Sequence, residues 1–313
     1  MLNLDADSVA GALPYDKLIS ALDDAFRAGA QVPERMQLPV EVPESADGTL
    51  LLMPCWQSGG LLGVKIATVF PGNADAGLSA VYASYFLMDA VTGRPLAVLD
   101  GTQLTLRRTA AASALASTYL SRHDSKTLLM VGTGRLAPHL IRAHAAARKI
   151  DGVLIWGRRP EAAGRVAGEL SRERFSVEVA GRLGEAVQKA DIVSCATLAT
   201  EPLIKGAWLS EGQHVDLVGA FKPDMREADG AALARARVYV DTYAGALSEA
   251  GDIVRALADG VIAESDIAGD LAELVRGQKS GRSSDKEITL FKSVGTALED
   301  LAAAQLVMGG QDA

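Results

Sequence analysis

A glycine-rich turn between an apolar strand and a helix is of the kind that binds the pyrophosphate of a dinucleotide. The apolar run Leu128–Val131 leads into the motif Gly132-Thr133-Gly134-Arg135-Leu136-Ala137, and a helical stretch follows. Glycines allow a tight turn and a close approach of the backbone to phosphate, and the helix start offers free amides. An ordinary turn is the alternative in a chain with 31 glycines. We predict that all six motif residues contact the cofactor.

Two arginines after the next predicted strand indicate which dinucleotide is bound. Arg158 and Arg159 follow the strand Val153–Trp156, where an NAD-selective site usually carries Asp or Glu for the ribose hydroxyls. Guanidinium groups bind phosphate oxygens through charged, forked donors, which suits a 2′-phosphate. We therefore expect NADPH to be preferred and NADH to be possible, with solvated surface arginines as the alternative. The remaining cofactor contacts are assigned to Trp156, Thr109, Ala196, Thr197, Val218, Gly219 and Val294.

Three basic residues are candidate ligands for a substrate carboxylate. Arg35 follows a proline-bounded turn, Lys65 lies within the apolar strand Gly63–Ala67, and Arg108 precedes a run of small residues. A lysine buried without a partner costs several kcal/mol, and a bound anion would supply that partner. A lysine that points out from an edge strand is the alternative. Lys65 is also the candidate catalytic residue, as a donor of a proton or hydrogen bond, with charge anchoring alone as the other possibility.

The cysteines and histidines form no metal-binding pattern. Cys55 and Cys195 lie far apart in apolar sequence, which favours reduced, buried thiols over a disulfide or a zinc site. The four histidines show no ligand spacing with carboxylates or cysteines; they are His123, His139, His144 and His214. We predict no metal site.

The composition indicates a folded protein that does not bind polyanions. The chain has 313 residues, 49% hydrophobic and 22% charged, which is enough apolar material for two domains. A net charge of −8 gives no field that would attract nucleic acid or an anionic membrane. Acidic residues occupy the N-terminal segment where a secretory signal needs a basic region, and no apolar run reaches the roughly 20 residues of a membrane span. We expect a cytoplasmic protein with a small-molecule substrate and no nucleic-acid or membrane partner.

The first region of the chain is predicted as a helix followed by antiparallel strands. Apolar residues recur at helical spacing within 13–28, and prolines then interrupt any helix. Residues 49–69 and 81–100 are each predicted as two strands around a central turn. Consecutive hairpins favour a mostly antiparallel sheet.

The second region alternates strands with helices. A helix of small residues at 105–121 precedes it, and the segment 286–307 after it begins like a strand and continues with helical spacing. Alternation of this kind predicts a parallel sheet with helices on both faces. The predicted strands lie at 128–131, 152–156, 175–179, 192–196, 214–218 and 238–240, and the helices at 134–148, 160–172 and 183–190.

Five blocks of sequence point to a family. They are GVKIATVFPGN at 63–73, RRTAAASALA at 107–116, VGTGRLAPH at 131–139, VGAFKPDMREAD at 218–229 and ITLFKSVGTALEDLAAA at 288–304. In order and content the blocks resemble the ornithine cyclodeaminase and mu-crystallin family over nearly the whole chain. The resemblance implies an α/β fold, in which a Rossmann domain with a doubly wound parallel sheet is inserted into an α+β substrate-binding and dimerisation domain. The Rossmann domain would span 119–289, and the other domain 1–118 plus 290–313.

The resemblance also implies a set of roles and a reaction. Arg35, Lys65 and Arg108 match the residues that hold a substrate carboxylate, and the protein would be a homodimer. Cyclodeaminases of the family carry an Asp for acid–base steps where this chain has Phe221, and an apolar ring cannot transfer protons. The pattern Pro223–Glu227 instead looks like that of cyclic ketimine reductases. Arg226 and Glu227 are interpreted as an ion pair capping the next helix, with direct catalysis as the alternative.

The reaction implied is NAD(P)H-dependent reduction of a cyclic imine carboxylate. Its substrate would be Δ1-pyrroline-2-carboxylate, giving L-proline, or Δ1-piperideine-2-carboxylate, giving L-pipecolate. One alternative is an ornithine cyclodeaminase or an alanine dehydrogenase-like enzyme. The other is a non-catalytic, NADP-dependent protein that binds small molecules.

Overall fold

The computed structural model describes residues 1–310, apart from the side chains of residues 74 and 75. In chain order, its strands and helices are β1 (Leu2–Leu4), α1 (Ala6–Ala12), α2 (Tyr15–Ala28), β2 (Met36–Val40), β3 (Gly48–Trp56), β4 (Leu61–Val69), β5 (Val81–Asp89), β6 (Pro95–Asp100), α3 (Gly101–Leu120), β7 (Thr127–Val131), α4 (Ala137–Ala147), β8 (Gly152–Trp156), α5 (Pro160–Glu169), β9 (Ser176–Val179), α6 (Leu183–Lys189), β10 (Ile192–Cys195), β11 (His214–Leu217), α7 (Gly230–Arg235), β12 (Arg237–Val240), α8 (Tyr243–Ser248), α9 (Gly251–Ala258), β13 (Ile267–Asp270), α10 (Leu271–Val275), β14 (Thr289–Lys292) and α11 (Ala297–Gly309). Unit 1 comprises Met1–Arg108 with Thr296–Ala313, and unit 2 comprises Thr109–Gly295. None of the described helices combines the length and apolar character of a membrane span.

Unit 1 is built on a six-stranded sheet with the order β1-β6-β5-β4-β3-β2. Strands β2 to β6 run antiparallel to their neighbours, and β1 joins β6 in parallel. Helices α2 and α11 pack together, and α11 also packs on β3 and β4. Leu18, Leu22 and Phe26 form the buried face of α2, because residues four apart lie on one side of a helix. The predicted antiparallel hairpins are confirmed.

Unit 2 contains an eight-stranded parallel sheet with the order β13-β12-β14-β11-β10-β7-β8-β9. From β7 the chain adds β8 and β9 on one side, and then crosses to add β10 and β11 on the other. Such a reversal leaves a crevice at the carboxyl ends of the strands, where α/β proteins bind dinucleotides. Buried Val, Ile, Leu and Ala side chains form the core around the sheet. The predicted doubly wound parallel sheet is confirmed.

Some boundaries differ from the sequence-based predictions. Helix α4 begins at Ala137 and not at 134, because residues 134–136 form a bend and a turn. Strand β14 pairs with β11 and β12, so residues 290–295, assigned from the sequence to the substrate domain, lie in unit 2. Residues 109–118 lie in unit 2 as well. The last three residues of the predicted range 290–313 lie outside the described residues.

Candidate active site

Lys65 lies on the buried face of β4, within the sheet of unit 1. Its Nζ is 2.7 Å from Oδ2 of Asp300 on α11, and both side chains are buried. Strand β4 pairs with β3 on one side and β5 on the other, so the edge-strand alternative is wrong. Sequence reasoning expects a bound anion as the partner of this lysine. The chain itself supplies the carboxylate, because α11 packs on β4.

Arg108, near the middle of α3, contacts the same carboxylate. Its Nε donates to Oδ1 of Asp300 at 2.9 Å, and its Nη1 donates to Oε2 of Glu299 at 2.5 Å. Both carboxylates are fully buried. Asp300 therefore bridges Lys65 and Arg108, with one oxygen on each, and fixes the spacing of two predicted substrate ligands.

Arg35 completes the set of three predicted carboxylate ligands. It is half-buried just before β2, and its charge lowers the pKa of Lys65, so it lies within electrostatic range. The structure thus brings three cations together with two carboxylates, Glu299 and Asp300. The positive charges of this cluster can attract a substrate carboxylate.

Sequence reasoning missed Glu299 and Asp300. The two acids interrupt the otherwise apolar segment Ala297–Ala304, and buried acids are almost always paired. This signal predicts cationic partners for them. It does not name the partners, because Arg108 lies 192 residues from Asp300 along the chain.

The pKa of Lys65 is shifted toward neutral pH. Burial lowers the pKa of Lys65 to about 8; Arg108 and Arg35 act in the same direction, and Asp300 opposes them. Burial also lowers the pKa of Arg108, but Asp300 and Glu299 outweigh it and raise that pKa, so the guanidinium stays charged. Lys65 therefore carries a proton at neutral pH and releases it more readily than an ordinary lysine.

Two further polar side chains beside Asp300 stay neutral. Burial raises the pKa of Cys55 to about 12, and Asp300 acts in the same direction. Burial and Asp300 together hold the pKa of Tyr85 well above its ordinary value. Neither a thiolate nor a phenolate therefore forms near Lys65 at neutral pH.

The glycine turn of unit 2 fits a dinucleotide pyrophosphate. Gly132 has a φ of 117°, and a Cβ there would lie 2.4 Å from the carbonyl oxygen of Ala196. Around Gly134 a Cβ would meet nothing within 4 Å, so the turn is open on that side. No side chain caps the first turn of α4, whose N-cap is Leu136. The free amides and the close backbone approach are what phosphate oxygens need.

Arg158 and Arg159 follow β8 directly and are exposed, like Arg135 in the glycine turn. Among residues 1–310, no carboxylate lies within ion-pair distance of these three guanidinium groups. Trp156, the last residue of β8, is half-buried, and the residues that follow it directly are Gly157, Arg158 and Arg159. The end of the strand therefore has no Asp or Glu that could accept from the ribose hydroxyls. The donor set is therefore suited to phosphate.

The other predicted cofactor residues lie at the carboxyl ends of strands, except Thr109, which begins unit 2 within α3. Ala196 and Thr197 follow β10, Val218 and Gly219 follow β11, and Val294 follows β14 by two residues. Parallel strands place these ends along one edge of the sheet.

The buried histidines of unit 2 take part in structural hydrogen bonds. His144 Nε2 lies 3.2 Å from Oδ2 of Asp216, and His214 Nδ1 lies 3.0 Å from Oγ1 of Thr289. Within the described part of the chain, no group of three or more His, Cys, Asp or Glu side chains is placed to hold a metal ion.

Comparison with known proteins gives the family. Residues 2–311 match the ornithine cyclodeaminase/mu-crystallin family. The chain belongs to this family. A Delta(1)-pyrroline-2-carboxylate reductase of Colwellia psychrerythraea is 38% identical over 310 residues, which are 97% of this chain and 98% of that protein.

Two solved structures of similar proteins cover the chain almost completely. The Delta(1)-pyrroline-2-carboxylate reductase of Thermococcus litoralis, in complex with NADH and L-proline, is 37% identical with a TM-score of 0.92, over 99% of this chain and 97% of that one. An archaeal alanine dehydrogenase dimer with bound NAD is 32% identical with a TM-score of 0.91, over 100% of this chain and 97% of that one.

One interpretation of a motif shared with the family is wrong. Arg226 does not pair with Glu227: its Nη1 lies 3.0 Å from Oδ2 of Asp259, and its Nε donates to the carbonyl of Ala228. Glu227 is fully buried and accepts from the amide and hydroxyl of Thr197 instead. Successive residues point in different directions here, so adjacency in sequence does not make a pair.

Proposed function

We propose that this member of the ornithine cyclodeaminase/mu-crystallin family is an NAD(P)H-dependent reductase of cyclic imine carboxylates, converting Δ1-pyrroline-2-carboxylate to L-proline. The observation that carries the proposal is the buried bridge from Lys65 through Asp300 to Arg108. It joins Arg108, a cation that can bind a carboxylate, to Lys65, which can donate a proton. The names of the Colwellia and Thermococcus relatives support this substrate.

The residues divide the work between binding and proton transfer. Arg35 and Arg108 bind the substrate carboxylate and orient the ring. Lys65 donates a proton to the imine nitrogen, which makes the neighbouring carbon electrophilic, and it regains a proton from water. The glycine turn would hold the reduced cofactor, and the chemistry that this cofactor would supply is the hydride for the reduction. One proton and one hydride together convert the C=N bond to the CH–NH of the amino acid.

The direct test is cofactor oxidation by the purified protein with Δ1-pyrroline-2-carboxylate. We expect oxidation of NADPH or NADH, with an equal amount of L-proline formed. Lys65→Met keeps an unbranched chain but loses the proton, and kcat/KM should fall at least about a hundredfold. Absence of cofactor oxidation, together with proline and ammonia release from L-ornithine, would instead establish a cyclodeaminase.

An alanine dehydrogenase-like activity is the second candidate, favoured by the 32% identity to the archaeal enzyme. It would use the same carboxylate ligands with an open-chain imine. Ammonia-dependent reduction of pyruvate distinguishes it from the leading proposal. Tight NADPH binding without turnover of any imine would identify a binding protein.

The preference for NADPH rests on Arg158 and Arg159. Both are exposed after β8 and suited to a 2′-phosphate. Arg158→Ala should lower the ratio of kcat/KM for NADPH to that for NADH about tenfold, because one charge-assisted phosphate contact is lost. Glu178→Gln, exposed on β9, is the control. An unchanged ratio would remove Arg158 from the 2′-phosphate site.

The remaining parts of the proposal concern ring size, assembly and location. L-Pipecolate formation from Δ1-piperideine-2-carboxylate needs the same carboxylate ligands and one more ring carbon. A homodimer is supported by the partly exposed apolar face of the sheet of unit 1 and by the dimeric alanine dehydrogenase. Cytoplasmic location stays a prediction.

A further inference from the structure

A cluster of buried charges lies at the carboxyl ends of the strands of unit 2. Glu227, Asp252 and Lys292 are fully buried, and the thiol of Cys195 lies beside Glu227. The mechanism above uses none of these groups. Burying three charged side chains costs free energy unless partners offset the loss of hydration. Their contacts therefore show what these side chains hold in place.

The cluster holds the backbone of two predicted cofactor segments. Oε1 of Glu227 accepts from the amide of Thr197 at 2.6 Å and from its hydroxyl at 2.8 Å. Nζ of Lys292 donates to the carbonyl of Gly219. A Cβ on Gly219 would lie 2.2 Å from the carbonyl oxygen of Thr197 and 2.5 Å from Oε1 of Glu227. The segments after β10 and β11 are therefore locked together around one carboxylate.

Glu227 is in turn fixed by its own neighbours. Oδ1 of Asp252 accepts from the amides of Glu227 and Ala228 at 2.8 and 2.9 Å. Oδ2 of Asp252 lies 3.4 Å from Nζ of Lys292. Oε2 of Glu227 is buried and has no hydrogen-bond partner in the described part of the chain. The carboxylate is thus held rigidly, and its charge is incompletely compensated.

The strand order indicates which part of the cofactor Thr197 faces. A dinucleotide crosses the sheet at the reversal between β7 and β10, with its pyrophosphate at the glycine turn. Arg158 is exposed at the end of β8 and is suited to the 2′-phosphate, which belongs to the adenosine half of NADPH. We therefore place the adenosine half on the β8 side of the reversal. The nicotinamide half then lies toward the ends of β10 and β11, where Thr197 and Gly219 are.

We propose that Glu227 is a positioning residue for the nicotinamide half of the cofactor, on which it acts through the amide and hydroxyl of Thr197. This inference rests on the proposed NAD(P)H-dependent function. A charged acceptor holds two donors of one residue more firmly than a neutral acceptor, so the negative charge of Glu227 matters as well as its shape.

The protonation of Glu227 should therefore be visible in cofactor binding. Lys292, Asp252 and Cys195 are the titratable groups that face it. Burial raises the pKa of Glu227 to about 7; Lys292 acts against this shift and Asp252 adds to it. Below pH 7 the carboxyl gains a proton and its hold on Thr197 weakens. NADH affinity should fall as pH is lowered through 7 and level off above it.

The test compares two ligands by calorimetry, NADH and ADP-ribose, which lacks the nicotinamide ring. Glu227→Gln should raise the Kd for NADH about tenfold and that for ADP-ribose no more than about twofold. Thr197→Val, which keeps the amide but loses the hydroxyl, should give a smaller loss in the same direction. Glu178→Gln, exposed on β9, should match the wild type for both ligands.

The outcomes separate the inference from the function on which it rests. Equal losses for both ligands, or no loss, in a Glu227→Gln variant with native circular dichroism would overturn the positioning role. If that variant does not fold, the test is made on the wild type by measuring both affinities from pH 6 to pH 8. A ratio of NADH affinity to ADP-ribose affinity that stays constant over this range would overturn the positioning role. If the wild-type protein binds neither ADP-ribose nor NADH, the proposed function itself is overturned.

Discussion

One carboxylate links substrate binding to proton transfer in the proposed site. The two oxygens of Asp300 contact Lys65 and Arg108 separately, so the acid sets both their spacing and their charge. Arg108 remains cationic because Glu299 pairs with it as well as Asp300, whereas the ammonium of Lys65 pairs with Asp300. The protonation of Lys65 is consequently more easily changed than that of Arg108.

Asp300→Asn keeps the size of this side chain and removes its charge. Asp300 raises the pKa of Lys65, so that pKa should drop below 8 in the variant. The limb of the kcat/KM profile on which activity is lost with rising pH should then move to lower pH. At neutral pH, kcat/KM should fall about tenfold or more. Asp24→Asn, exposed on α2, is the control, and a lower rate with an unshifted limb would argue against this coupling.

The residues of the two buried charge clusters differ in how readily the sequence reveals them. Lys65 is predictable, because a lysine within an apolar strand needs a reason to be there. Asp300 is visible only as an acid in an apolar helix, and its role depends on the packing of α11 against β4. The sequence does not indicate the contacts of Glu227: its neighbour Arg226 suggests an ion pair, but Arg226 pairs with Asp259 and Glu227 accepts from Thr197.

At the scale of elements, β4 and β5 fit closely on the face that carries Lys65. A Cβ on Gly63 would lie 1.9 Å from Oη of Tyr85, so the glycine makes room for that hydroxyl. Gly63→Ala should lower the free energy of unfolding by about 1–3 kcal/mol through overpacking. Tyr85→Phe should be nearly neutral, because the hydroxyl has no hydrogen-bond partner within the described residues.

The double variant tests this explanation of Gly63. Removing the hydroxyl should restore part of the stability lost in Gly63→Ala, because the clash is with that one atom. Urea unfolding of the wild type, both single variants and the double variant measures the coupling. Losses that simply add would show that the alanine is unfavourable for another reason.

Two buried titratable side chains among the elements of unit 2, His214 and Glu227, make the stability of the protein sensitive to pH. Burial lowers the pKa of His214 from 6.5 to about 3, so the unfolded chain binds a proton that the folded one does not. The contribution of neutral His214 to the free energy of unfolding is therefore lost as pH falls from 6.5 through 3, at up to about 1.4 kcal/mol per pH unit. The pKa of Glu227 is raised from 4.5 to about 7, so its contribution is gained as pH falls from 7 to 4.5.

The opposite pH dependences of these two contributions to stability predict how variants of His214 and Glu227 will differ from the wild type. Between pH 4.5 and 6.5 the contributions of His214 and Glu227 oppose each other. His214→Asn should gain stability relative to the wild type as pH falls through this range, and Glu227→Gln should lose it. Urea unfolding at several pH values measures both differences. Curves that stay parallel to the wild type would mean that neither group titrates as described.

At the scale of the whole chain, fold class is predictable and strand membership is not. Hairpins in the first region and alternating helices and strands in the second predict the two sheets, because each pattern has its own period. Strand β14 is four fully buried residues, so it shows no alternation, and it inserts between strands from earlier in the chain. The extent of each unit therefore depends on pairings that local sequence does not encode.

One face of the sheet of unit 1 is partly exposed. Lys65, Tyr85 and their neighbours point toward α11, and the alternate residues of the same strands form the other face. Across the strands, Val64 lies beside Phe86, and Phe86 beside Val98. Phe86 is 37% exposed, and Val64 and Val98 are partly exposed. A continuous apolar surface of this kind is typical of a face that another protein covers.

A second copy of the chain is the occupant we expect on this face, as in the proposed homodimer. Phe86→Glu would then place a charge in an apolar interface on both subunits, which costs about 2 kcal/mol or more and raises the dimer Kd at least about thirtyfold. Light scattering at decreasing protein concentration should show the mass of the variant falling to that of one chain while the wild type stays dimeric. Val91→Glu changes a more exposed apolar residue, in the turn between β5 and β6, and should leave the mass unchanged. A Phe86→Glu protein that remains dimeric at every concentration would show that the interface lies elsewhere. A wild-type protein that is monomeric would contradict the proposed homodimer.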